Sequence, residues 1–294
     1  MPTLKAALVG HGISGSLTPE MHEAEAKSLG VAYKYHRFDT ATEPWSKMEL
    51  AEIVEDAKDK GFAGLNITHP FKVRVVDLVD QLSEAARVLG AINTIVITNG
   101  VMTGHNTDYT GFASALAEHS FTRKNASVLL LGAGGAAPAV ALALLDHGVQ
   151  QLTVFDLDPG KSQDLAERIM KVRPNASVSS GASITQANTS RLDGIVNATP
   201  MGMKEHPGEA IDPSLIPATA WVSDIVYFPL ETSLLATAKA KGCQVMTGAA
   251  MAVHQAAASL TLFTGLPANA TRMRQSFDQI QNNRIGKRQG HEPA

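Results

Sequence analysis

The stretch Gly132-Ala133-Gly134-Gly135-Ala136-Ala137 lies between an apolar run, Val128 to Leu131, and a helix-patterned segment, Val140 to Leu145. A glycine-rich turn that closes a buried strand and opens a helix is the fingerprint of a dinucleotide-binding α/β unit. Missing side chains at Gly132 and Gly134 let the turn close and let backbone amides approach a pyrophosphate at the helix N-terminus. Gly132, Ala133, Gly134, Gly135 and Ala136 are therefore candidate cofactor-binding residues. A second signal sits on the next apolar strand, Leu152 to Asp156, which ends in a carboxylate 24 positions after Gly132. In such folds that acid accepts hydrogen bonds from the adenosine ribose and repels a 2′-phosphate. Leu157 and Asp158 follow it with no guanidinium to compensate, and only Lys161 stands within reach, so the predicted cofactor is NAD rather than NADP.

Around this unit, short Val/Ile/Leu runs alternate with helical periodicity, the pattern of a largely parallel sheet covered by helices. The predicted class is α/β with two domains. The first hundred residues hold strand candidates at Ala6–Gly10, Tyr33–Phe38, Gly64–Thr68, Ala91–Ile97 and Val101–Gly104, and Asn99-Gly100 marks a hairpin between the last two, so this sheet is expected to be mixed. A second series runs through Val128–Leu131, Leu152–Asp156, Gly194–Asn197 and Trp221–Val226. Two helix-patterned stretches separated by Gly265-Leu266-Pro267 follow and are expected to pack back onto the first domain. The predicted division is 1–105, completed by helices in 247–284, for substrate binding and catalysis; 106–246, a Rossmann-type domain, for NAD; and 285–294 as a flexible tail, with polar, aperiodic sequence beginning at Asn282.

Several function classes fall away on composition. A net charge of −3 gives no field for nucleic acid or an anionic membrane. The apolar runs are far shorter than the ~20 residues that span a bilayer. Strand-like sequence from Ala6 leaves no room for a secretory signal, so the cytoplasm is expected. Cys243 is the single cysteine and reads as a core residue. The ten histidines show no ligand spacing, so no metal is expected. His22, His69 and His254 are read as structural or site-lining. The partner predicted is a small molecule, with the chain a monomer or a homo-oligomer.

Candidate chemistry gathers at the ends of strands. In Gly64-Leu65-Asn66-Ile67-Thr68-His69-Pro70-Phe71-Lys72, Leu65 and Ile67 should face the core with Asn66 and Thr68 opposite. Pro70 suits a helix start, which would bring Lys72 off the first turn near Thr68. Asp108 fits the first turn of a helix after Gly104-His105-Asn106-Thr107. Asn197-Ala198-Thr199-Pro200-Met201-Gly202-Met203 follows a strand at the carboxyl edge of the second sheet, where open α/β folds bind ligands. That edge makes Asn197, Thr199 and Met201 cofactor candidates.

Taken together, these segments resemble the shikimate dehydrogenase family over about Leu4 to Phe277, and its quinate/shikimate dehydrogenase branch in particular. The resemblance rests on Ser16-Leu17-Thr18-Pro19 with His22, Asn66 to Lys72, Gly90 to Thr94, Gly104 to Asp108, Gly132 to Ala136, Asn197 to Met203, Asp224 to Pro229, and Gly248 with Met251 and Gln255. It implies that Lys72 and Asp108 form the catalytic pair, Lys72 exchanging the hydroxyl proton as hydride leaves for nicotinamide, and Asp108 orienting it. It also implies that Ser16 and Thr18 grip the substrate carboxylate, and that Thr68, Asn93, Asp108, Gln255 and Tyr227 bind ring hydroxyls. Gly248 and Met251 join the cofactor set. Thr18 in place of a second serine, and Asp156-Leu157-Asp158 in place of Asn-Arg-Thr, both point to the quinate/shikimate branch. The expected reaction is NAD-dependent oxidation of quinate or shikimate to the 3-dehydro acid. Alternatives are a shikimate-only or aminoshikimate dehydrogenase, a non-catalytic NAD-sensing module, and, weakest, a metalloenzyme.

Overall fold

The computed structural model describes residues 2–121, 125–185 and 189–289. Contacts divide the chain into one unit of Met1–Thr107 with Gln255–Ala294, and a second unit of Asp108–His254.

In the first unit, β1 (Leu4–Gly10), β2 (Tyr33–Asp39), β3 (Gly64–Ile67), β4 (Gln81–Leu82), β5 (Thr94–Thr98) and β6 (Val101–His105) form one sheet in the order β2-β1-β3-β5-β6-β4. β1 pairs in parallel with both β2 and β3, whereas β3–β5 and β5–β6 are antiparallel. The β5–β6 reversal is made by Asn99 and Gly100, with φ of 52° and 80°. Both left-handed positions fall where Asn and Gly tolerate them. Helices α1 (Thr18–Ser28), α2 (Leu50–Asp59) and α3 (Glu84–Leu89) connect the strands. A capping box between Glu49 and Glu52 starts α2, and its buried Leu50, Ile53, Val54 and Ala57 form the single stripe that covers Val9, Leu65 and Ile67. The other face of the sheet, at Ala6, Leu8 and Tyr35, is closed by Phe263.

Phe263 lies on α8 (Gly248–Thr264), which precedes α9 (Ala270–Gln289). The buried Glu25 of α1 takes hydrogen bonds from Arg272 Nε at 2.9 Å and from the Asn269 backbone at 2.8 Å, and so fastens the start of α9.

The second unit opens with α4 (Thr107–His119) and contains β7 (Ala126–Leu131), α5 (Ala137–Asp146), β8 (Val149–Phe155), α6 (Pro159–Val172), β9 (Ser177–Ser180), β10 (Gly194–Asn197), β11 (Trp221–Asp224), α7 (Ser233–Ala240) and β12 (Val245–Met246). Its sheet runs β12-β11-β10-β7-β8-β9 with every pairing parallel. The chain builds outward from β7 to β9, then restarts at β10 on the other side of β7. The carboxyl ends of β7 and β10 therefore flank a topological switch point, where an open α/β sheet presents its ligand site.

Four stretches differ from the sequence reading. After β3 the chain runs through successive turns from His69 to Val75 instead of entering a helix at Pro70. The Lys72 carbonyl accepts from Ile92 N–H at 2.8 Å and cannot serve an i→i+4 ladder, and Val73, Val75, Val76 and Val79 are poor helix formers. The strand expected from Ala91 begins only at Thr94, and the one expected to reach Val226 ends at Asp224, whose carboxylate captures Val226 N–H at 2.9 Å. The alternation expected in β3 holds: Leu65 and Ile67 lie in one core cluster and Asn66 faces Tyr35 on the opposite side, buried as well because both sheet faces are covered. Finally, α9 continues to Gln289, past the point at which polar sequence suggested a frayed end.

Candidate active site

The loop after β7 has the physical features that a bound pyrophosphate requires. Gly132 has φ of 93°, and a Cβ there would lie 2.8 Å from Thr199 Cγ2 and 3.0 Å from the Ala198 carbonyl. Only glycine lets the β7 and β10 loops approach this closely. Gly134 and Gly135 face open space. Among the described residues the amides of Gly134, Gly135 and Ala136 have no acceptor within the chain, and α5 starts directly behind them. Free donors at a helix N-terminus are the kind of group that binds a phosphate. Asp156 is tied into the loop, accepting from Ala133 N–H at 2.7 Å and Asp158 N–H at 2.9 Å. Each carboxylate oxygen retains a lone-pair direction for a ribose hydroxyl. Lys161, the nearest candidate for a 2′-phosphate, lies 3.9 Å from Asp158.

The partner loop after β10 is held by a buried polar cluster. Asn197, 0% exposed, donates to the Met201 carbonyl and to Asp224 Oδ1, both at 3.0 Å, and accepts from the Thr199 backbone at 3.0 Å and hydroxyl at 2.6 Å. Asp224 in turn accepts from Thr232 Oγ1 at 2.7 Å. Burial raises the Asp224 pKa, with Thr232, Val226 and Asn197 pulling against it. Sequence reasoning included Asp224 in a motif but gave it no task, and it missed Thr232. Gly248 opens α8 against the carbonyls of Ile225 and Val226, where a Cβ has no room. Met251 is 8% exposed, and Tyr227 is 41% exposed.

In the first unit, Ser16 and Thr18 flank the start of α1. Ser16 N–H donates to the Ile13 carbonyl at 3.0 Å and the Ser16 hydroxyl accepts from Thr18 N–H at 3.3 Å. Among the described residues neither hydroxyl donates a hydrogen bond, so both are available to a carboxylate. The buried carboxylate of Asp39, at the end of β2, accepts from Gly12, Ile13 and Ala41 N–H at 2.8, 3.0 and 3.0 Å. Burial would raise its pKa, yet the three backbone donors hold it below the usual carboxylate range. Asp39 shapes this loop and was not found from sequence; an acid at a parallel-strand terminus was the available signal.

Thr68 lies at the end of β3 with its methyl against Gly10, and it is half-buried. Beside it runs a buried chain of bonds: Tyr35 OH to Asn66 Oδ1 at 2.7 Å, Asn66 Nδ2 to Thr94 Oγ1 at 3.0 Å, and Thr94 Oγ1 to Asn93 Oδ1 at 3.1 Å. Asn93 is 4% exposed, and its Oδ1 accepts from Thr107 N–H at 2.6 Å. Asn93 thereby fixes Thr107, the residue before Asp108. Asp108 is 7% exposed in the first turn of α4, Lys72 is half-buried in the turns after β3, and Gln255 is half-buried on α8. His22, fully buried, bonds Tyr33 OH at 3.0 Å and Ser259 Oγ at 3.2 Å, which is a structural role. Among the described residues no group of three or more His, Cys, Asp or Glu side chains is placed to hold a metal ion.

A Rossmann-type sheet with a free-amide glycine loop and an acid just past the next strand, carried with a second α/β unit whose strand-end loops hold hydroxyls, amides and a lysine, is the architecture of a nicotinamide-dependent dehydrogenase. The substrate-binding domain model of shikimate dehydrogenase matches residues 8–95, and the C-terminal domain model of shikimate 5′-dehydrogenase matches 248–276. The quinate/shikimate dehydrogenase (NAD(+)) of Corynebacterium efficiens is 47% identical over 92% of this chain and 96% of its own length. A shikimate dehydrogenase (NADP(+)) of an Arthrobacter species is 45% identical over 93% of this chain and 94% of its own length. Quinate dehydrogenase from Corynebacterium glutamicum, solved in complex with NAD, superposes with a TM-score of 0.90 at 45% identity, covering 94% of this chain and 99% of that one. The chain belongs to the shikimate dehydrogenase family.

Proposed function

We propose that this protein oxidises the ring hydroxyl of quinate and shikimate with NAD, giving the 3-dehydro acids. The observation that carries the NAD assignment is Asp156, anchored to Ala133 N–H at 2.7 Å, with Asp158 beside it and Lys161 3.9 Å from Asp158. A 2′-phosphate would face two carboxylates there. Gly134, Gly135 and Ala136 would hold the diphosphate through their free amides, and the loop of Asn197, Thr199 and Met201, with Gly248 and Met251, would complete the cofactor site. When bound, NAD supplies the hydride acceptor.

Ser16 and Thr18 would donate hydroxyl hydrogens to the substrate carboxylate. Thr68, Asn93, Tyr227 and Gln255 would bind ring hydroxyls, and a site built this way rejects analogues that lack them. Lys72 would take the proton from the reacting hydroxyl at its Nζ as the carbonyl forms, and Asp108 would orient the amine. The division 1–105 with 247–284 for substrate and 106–246 for cofactor is the functional partition we propose. The setting would be the cytoplasm; no described helix is long and apolar enough to cross a membrane. Steady-state rates with quinate and shikimate, each with NAD and NADP, test the reading. Higher kcat/KM with NAD is expected, and a clear NADP preference would remove the role given to Asp156.

A further inference from the structure

The loop that presents Ser16 and Thr18 is gripped from outside by two guanidinium groups that share one carboxylate. Arg284 of α9 donates from Nη1 to the Gly15 carbonyl at 2.8 Å and from Nη2 to Glu20 Oε1 at 3.0 Å. Arg37 of β2 donates from Nη2 to the Ser16 carbonyl at 2.9 Å and to Glu20 Oε2 at 2.9 Å. Two successive peptide carbonyls are thus fixed by cations, which sets the planes of the peptides on either side of Ser16. The cluster carries two positive charges and one negative, leaving a net positive field beside a loop whose free hydroxyls face an anion.

Stability does not explain this arrangement. The side chains of Arg37, Glu20 and Arg284 are 33%, 39% and 39% exposed, and ion pairs at such sites add little to folding. Among the described residues Arg37 Nε is buried with no partner, a placement that costs free energy. We infer that Arg37 and Arg284, bridged by Glu20, are positioning residues for the Ser16/Thr18 carboxylate grip and set the preference for an acid over its uncharged analogue. The inference rests on the substrate reading proposed above.

The test compares shikimate with its carboxamide, as substrates or competitive inhibitors, in the full-length protein. Arg284→Gln is expected to weaken binding of the acid about tenfold, as loss of charge-assisted bonds does. Binding of the carboxamide, KM for NAD and kcat should each move less than about twofold, and Arg284→Lys should recover part of the preference for the acid. Unchanged affinity for the acid would overturn the inference, as would acid and amide weakening equally together with a lower Tm. Ser16→Ala and Thr18→Val run in parallel. If they abolish the preference and Arg284→Gln does not, only the positioning role falls; if they leave it intact, the carboxylate grip itself falls.

Discussion

At the scale of single residues, the weight falls on a few groups whose neighbours fix their state. Lys72→Ala is expected to lower kcat on the order of 10²-fold, as losing a positioned acid-base group does, with KM for NAD little changed; near-normal turnover would remove Lys72 from the chemistry. Asp224 makes a prediction of a different kind. Truncating it to Ala strands the donors of Val226, Asn197 and Thr232, at an expected cost of about 2–4 kcal/mol by denaturant unfolding. Its folded pKa lies above the unfolded value, so the native state binds the extra proton between the two values. This contribution is fully present below the unfolded pKa and is lost as pH rises through the folded one. Asp224→Asn, nearly isosteric and without a titrating group, should remove that pH dependence. Glycine spacing and strand ends made the positions of Asp156 and Asn197 legible in the sequence. The tasks of Asp39 and Asp224 were not read from sequence: the strand-end position of each is visible, but Gly12 and Ile13 for Asp39, and Asn197 and Thr232 for Asp224, stand elsewhere in the chain and leave no local pattern.

At the scale of elements, aliphatic runs exposed the central strands and Asn99-Gly100 exposed the hairpin, since burial and positive φ restrict residue type directly. The edge strands β4, β9 and β12 were invisible for the opposite reason. Ser177-Val178-Ser179-Ser180 is polar and mostly exposed, and becomes a strand only because β8 offers it a ladder. The turns after β3 were misread as a helix because Ile92, distant in sequence, takes the Lys72 carbonyl. The junction of α1, β2 and α8 carries a pH prediction. Burial lowers the His22 pKa to about 3, so the ring is neutral between Tyr33 and Ser259 at working pH. The unfolded chain takes up a proton near 6.5 and the folded one does not, so stability falls as pH drops from about 6.5 toward 3, by a few kcal/mol. Thermal melts across that range should show the slope in the parent protein. His22→Asn should be less stable near neutrality and should show a flatter acid limb.

At the scale of the whole molecule, the free amides of the glycine loop predict that cofactor binding is felt as folding stability. NAD at about a hundred times its Kd should add roughly 2.7 kcal/mol, read as a concentration-dependent rise in Tm, and NADP at the same concentration should add less. Equal shifts with both would contradict the part assigned to Asp156. The order of the two units along the chain has one more consequence, which concerns time. Glu25 is made early, whereas Arg272 and Asn269, which satisfy its buried carboxylate, leave the ribosome only after all of Asp108–His254 has been synthesised. At about 5–20 residues per second, that carboxylate waits on the order of ten seconds or more for its partners. A chain truncated just before Asn269 should therefore shield its Rossmann-type half from protease while its first hundred residues are still being digested.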